Sequence, residues 1–67
     1  MASEVVALIE QAGIAMDNCR TSLNTFHLLL KHDQWERAEV ARAETVGFYE
    51  AHLDLLTEAA KKLCPKT

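Results

Sequence analysis

Apolar residues in the first half of the chain recur at helical spacing. Val5, Ile9, Ala12, Met16, Cys19, Leu23, Phe26 and Leu30 follow one another at alternating steps of four and three. That is the period of a coiled-coil seam, held for nearly four heptads. Glu10, Gln11, Asn18 and Asn24 fall off it. Ser3 suits an N-cap, and Glu4 suits the first turn beside the positive end of the helix dipole. The spacing predicts a helix over about 3–31.

The second half repeats the period with Ala38, Ala41, Thr45, Phe48, His52, Leu55 and Ala59. It predicts a second helix over about 34–64. Asp33 with Glu36 three residues later has the form of a capping box at its start, and Pro65 stops it near Cys64. Asp33 with Arg37, Glu39 with Arg42 and Glu58 with Lys62 are spaced for ion pairs along this helix. The break falls at Lys31-His32-Asp33. So short a link folds two helices back on each other as an antiparallel hairpin. Residues whose numbers add to about 65 then face each other: Met16 and Tyr49, Gly13 and His52, Ile9 and Leu56. Gly13 and Gly47 each cost about 1 kcal/mol inside a helix. Close packing, with Gly13 making room for Phe48 or His52, would justify the first. The fold class is all-α, one hairpin domain over 1–67.

The apolar surface is too wide for a lone hairpin. Leu28, Leu29 and Leu30 stand in a row, and at about 100° per residue one neighbouring helix cannot cover all three. Leu8, Ala15 and Leu29 flank the seam of the first helix on one side and Val6 on the other; Ala7, Ile14 and Leu28 lie further round. The second helix carries a row at spacing seven, Trp35, Arg42, Tyr49, Leu56 and Leu63, and beyond it Val46, Leu53 and Ala60. Each apolar arc exceeds the ~100° that one partner covers. A two-fold homodimer, making a four-helix bundle, is the economical remedy. Val5, Ile9, Met16, Cys19, Leu23, Phe26, Leu30, Phe48, His52, Leu55 and Leu56 are the expected hairpin or dimer core. Ile14, Leu28, Trp35, Arg42, Tyr49, Val46 and Leu53 are the expected partner-binding positions, since Trp, Tyr and Arg are enriched in binding hot spots.

Composition narrows the setting. At 67 residues, the chain is one domain at most and marginal alone. It is 49% hydrophobic and 25% charged, a globular rather than disordered balance, and two glycines and one proline are too few for an all-β fold. The net charge of −3 does not favour non-specific attraction to phosphates. No run approaches the ~18 apolar residues of a membrane span, and MASEVV lacks the basic region of a secretory signal. CPKT is a poor prenylation box. In the hairpin Cys19 and Cys64 fall near opposite ends of their region of overlap, tens of ångströms apart and far beyond the ~7 Å Cα limit of a disulfide, so both read as reduced thiols of a cytoplasmic protein.

Candidate chemistry is sparse. His27 and His32 are five apart, and His52 has no His or carboxylate at four residues' distance, so no metal site is expected. Cys19 points into the seam, and no phosphate-binding loop or paired-carboxylate motif occurs. No catalysis and no cofactor are expected.

A small non-catalytic interaction protein fits best. It would bind and modulate a larger protein, inhibition being the expected sense, as a bacterial or phage anti-activator does with a regulator. In length, single hairpin and expected bundle the chain is also similar to the repressor-of-primer family, a resemblance that implies RNA binding through the first helix. That helix offers only Arg20 and Lys31 against Glu4, Glu10 and Asp17, so nucleic acid is a poor partner. A purely structural dimerisation piece is the third reading.

Overall fold

The computed structural model describes the backbone of residues 2–63 and the side chains of residues 3–63. Two helices, α1 (Ala2–Lys31) and α2 (Trp35–Leu63), account for nearly all of it. No strand occurs among the described residues. α1 already contains Ser3, so the cap expected there falls inside the helix. The expected stop at Cys64 and Pro65 lies outside the described residues.

The turn is built differently from the expected capping box. Gln34 N–H donates to the carbonyl of Leu29 at 2.8 Å, and Asp33 N–H to that of Leu30 at 3.1 Å. Asp33 has φ 58°, in the left-handed region. These are the bonds and the dihedral of a Schellman motif, which satisfies the last carbonyls of α1. Asp33 is therefore the residue that ends α1, not the cap of α2. Aspartate is tolerated there because its short polar side chain lowers the usual penalty for positive φ. The carbonyl of Gln34 takes the first bond of α2, from Ala38 N–H at 2.8 Å, so Gln34 holds the N-cap position.

Two cross-helix contacts fix the register. His52 Nδ1 lies 2.7 Å from the carbonyl oxygen of Ala12, and Cys19 Sγ lies 3.6 Å from that of Thr45. Both pairs of numbers add to 64, one less than the expected sum. His52 thus meets Ala12 rather than Gly13. At this register Val5 stands opposite Ala59 and Phe26 opposite Ala38, while Ala15 falls within one residue of Phe48. Each such layer sets a small residue against a larger one, the interdigitation that close packing needs. The buried residues are all small: Ala12, Ala15, Cys19, Ser22, Ala38, Ala41 and Ala59. Among the described residues no large side chain is fully buried.

The seam of α1 consequently runs through Val5, Leu8, Ala12, Ala15, Cys19, Ser22, Phe26 and Leu29, all buried or half-buried. It shares every second position with the expected seam and differs at the others. Ile9 and Leu23, expected in it, are 47% and 50% exposed. The reason is steric: Ala15 and Ser22 let the helices approach, whereas Met16 and Leu23 in their place would hold them apart, and Ile9 turns outward with that choice of face. On α2 the expected seam holds throughout, with Ala38, Ala41 and Ala59 buried and Thr45, Phe48, His52 and Leu55 half-buried. Neither glycine serves close packing. A Cβ at Gly13 or Gly47 would meet nothing within 4 Å.

Candidate interaction surface

The hairpin has two unlike faces, and handedness makes them so. Both helices are right-handed and run antiparallel, so a step in the same sense from the seam leads to the same side of the pair. The residues that follow the seam positions on α1 are Ile9, Met16, Leu23 and Leu30. Their counterparts on α2 are Trp35, Arg42, Tyr49 and Leu56. The register brings these into four layers, each pair one residue, about 1.5 Å, from level: Ile9 with Leu56, Met16 with Tyr49, Leu23 with Arg42, and Leu30 with Trp35. Val6 borders this face along α1, and Val46, Leu53 and Ala60 border it along α2. The opposite face carries Gln11, Asn18 and Thr25 from α1 and Arg37, Glu44 and Glu58 from α2. Lys62 reaches Glu4 at 3.7 Å on that polar side, rather than pairing with Glu58.

Most of the large apolar residues of the first face are open. Ile9, Leu23, Trp35, Val46, Tyr49, Leu53 and Leu56 are exposed, Trp35 at 65%. Trp35 opens α2 and lines a shallow depression with Asp33, Gln34, Glu36 and Arg37. It does not close off the end of the hairpin core. Met16 and Leu30 are half-buried.

Arg42 is the one ionic residue in the four layers, and it is held. Its Nε and Nη2 donate to the two carboxylate oxygens of Glu39 at 2.9 and 2.6 Å. This forked pairing fixes the guanidinium plane. Arg42 holds the Glu39 carboxyl below the ordinary carboxylate range, chiefly through these hydrogen bonds. Tyr49 stacks on His52, with ring centroids 6.4 Å apart and planes at 25°. A carbonyl can only accept, so His52 Nδ1 carries the proton in its bond to Ala12. The imidazole thus ties the face to the seam.

The residues expected to bind partners divide into two groups. Trp35, Arg42, Tyr49, Val46 and Leu53 gather on the apolar face. Ile14 and Leu28 are exposed on the far side of α1, away from α2. They lie among Glu10, Asp17, Thr21 and Asn24, so each is a single apolar residue on a polar helix surface. Ile9, Leu23 and Leu56, read from sequence as hairpin or dimer core, lie on the open face rather than between the two helices. A clue to this division is the run of small residues at seam spacing, Ala12, Ala15, Cys19 and Ser22. It marks the side that takes a close neighbour.

No family model, curated protein or solved structure matches this chain.

Chemical sites do not compete with this surface. Among the described residues no three His, Cys, Asp or Glu side chains come together to hold a metal ion. The depressions are open: one is lined by Asp17, Arg20, Thr21, Leu23 and Asn24, and another bridges the helices between Thr25, Leu29, Arg37, Val40, Ala41 and Glu44. Cys19 is a buried free thiol. Among the described residues no helix is long and apolar enough to cross a membrane.

Proposed function

We propose that this chain is a small non-catalytic interaction protein of the cytoplasm. It pairs with a second copy through its apolar face to complete a four-helix bundle. The bundle then binds and restrains a larger protein, in the manner of an anti-activator acting on a regulator.

The continuous apolar face carries this reading, and its size supports pairing. The chain exposes 5157 Å². A compact monomer of its 7.5 kDa exposes about 4,250 Å² by the mass scaling of folded proteins. The excess of roughly 900 Å² is close to the ~800 Å² that each partner contributes to a standard interface. Shape agrees. The radius of gyration is 15.3 Å and the extents are 50 × 19 × 11 Å, where a compact domain of this length has a radius near 11 Å. The hairpin is one helix thick, so its face has no second layer. Stacking two copies supplies the missing layer with apolar contacts on both sides.

The bundle would leave Ile14 and Leu28 outside, as candidate anchors for the larger protein. The test uses Leu28→Asp and Ile14→Asp. Partner capture by the wild type that is lost in these variants, at unchanged molar mass, supports a separate docking surface. Capture that survives both while failing in Leu53→Asp would move partner binding to the apolar face and overturn the division of labour.

A further inference from the structure

We infer that the second copy lies end-to-end reversed, with its turn over the open end of the first. This rests on the proposed self-association through the apolar face and specifies its geometry. Two stacked hairpins related by a two-fold axis have two simple arrangements. If the axis runs along the hairpin, the two turns share one end. If it crosses the hairpin within the interface, the turns lie at opposite ends.

The charge of the hairpin as a whole is not uniform along its length, and this separates them. Residues 20–42, the turn half, contain Arg20, Lys31, Arg37 and Arg42 against Asp33, Glu36 and Glu39. Four cations against three anions leave this half at +1. Among the described residues the open half holds Glu4, Glu10, Asp17, Glu44, Glu50, Asp54 and Glu58 against Lys61 and Lys62, a balance of −5. Turns at one end would bring the two acidic halves to the same end of the bundle, with the acids themselves outside the apolar contact. Like charges brought together across an interface oppose association. Reversal sets each acidic half against the other copy's more basic half.

The layers agree with reversal. With turns together, the layer of Leu23 and Arg42 meets itself, placing two guanidinium groups in one layer of the bundle. Reversed, that layer meets Met16 and Tyr49 of the second copy. Each Arg42 then lies in a layer with a tyrosine ring of the second copy, a favourable neighbour for a cation. Trp35 and Leu30 at the turn meet Ile9 and Leu56 at the open end, so the bulkiest layer no longer packs on itself.

The decisive measurement is a distance between turns. A nitroxide is attached at Gln34→Cys, an exposed position, in a Cys64→Ser chain that keeps the buried Cys19. Pulsed dipolar spectroscopy is read on the sample whose mass is found by sedimentation. Reversed stacking gives a label separation approaching the 50 Å length of the hairpin. Turns together would bring the labels within about 20 Å, given helix axes 8–10 Å apart, and would overturn the inference while leaving self-association standing. A monomer by sedimentation would remove the pairing itself and with it the inference.

Discussion

Leu8 and Ile9 are neighbours in sequence, and the structure assigns them opposite consequences. Leu8 lies half-buried at the contact between the helices, whereas Ile9 is 47% exposed on the apolar face. Ile9→Ala removes three carbons, worth about 2.4 kcal/mol if all were buried from water, at ~0.8 kcal/mol each. With 47% of the residue open in the lone hairpin, roughly half of that, about 1.1 kcal/mol, is available to a second copy. Two copies lose about 2 kcal/mol, which weakens the dimer roughly thirty-fold at ~1.4 kcal/mol per factor of ten. The assay is sedimentation equilibrium at several loading concentrations, with urea unfolding of dilute protein alongside. Leu8→Ala lowers the stability of the dilute chain more than Ile9→Ala does, because its contacts are within the hairpin. The reasoning fails if Ile9→Ala destabilises the dilute chain as much as Leu8→Ala and leaves the dimer constant unchanged.

Three further outcomes follow from local geometry. Gly47→Ala raises the unfolding free energy by about 1 kcal/mol in urea titration, because the site is helical and open space surrounds the new methyl group. Asp33→Gly relieves the positive φ and raises the thermal midpoint, while Asp33→Val, β-branched at φ 58°, lowers it. The Glu39–Arg42 pair gives a pH dependence whose sign is fixed: the Glu39 carboxyl is depressed in the folded chain, so its contribution is complete above the ordinary carboxylate range near 4.3 and is lost as pH falls through the lowered folded value. Comparison of wild type with Glu39→Gln in acid titrations of stability isolates this contribution, which screening at so exposed a site keeps small.

The hairpin was legible in the sequence because two heptad patterns flank one short break. α2 was read position by position, since its seam alternates residues that have no rival register. α1 was harder because two seams share Val5, Ala12, Cys19 and Phe26. Hydrophobicity favours the one through Ile9, Met16, Leu23 and Leu30, but packing chose the one through Leu8, Ala15, Ser22 and Leu29. Summed apolarity does not report how closely two backbones can approach, and the small residues decided that. The same choice put Ile9 and Leu23 on the open face rather than between the helices. Asp33 was misread for a different reason. An acidic residue before a helix looks like an N-cap, and only the dihedral shows that it ends the preceding helix instead. The flank of Trp35, Arg42 and Tyr49 was visible from spacing alone, and the expected hairpin already set Met16 near Tyr49 and Ile9 near Leu56; the contacts of His52 and Cys19 shifted that register by one residue.

The central claim is that the apolar face is covered by a second copy of this chain. Sedimentation equilibrium of the purified protein at tens of micromolar tests it most directly. The account predicts a mass of about 15 kDa, twice the 7.5 kDa chain, that falls toward the single-chain value in Leu53→Asp. A folded wild-type protein that sediments as one 7.5 kDa chain at these concentrations would contradict it.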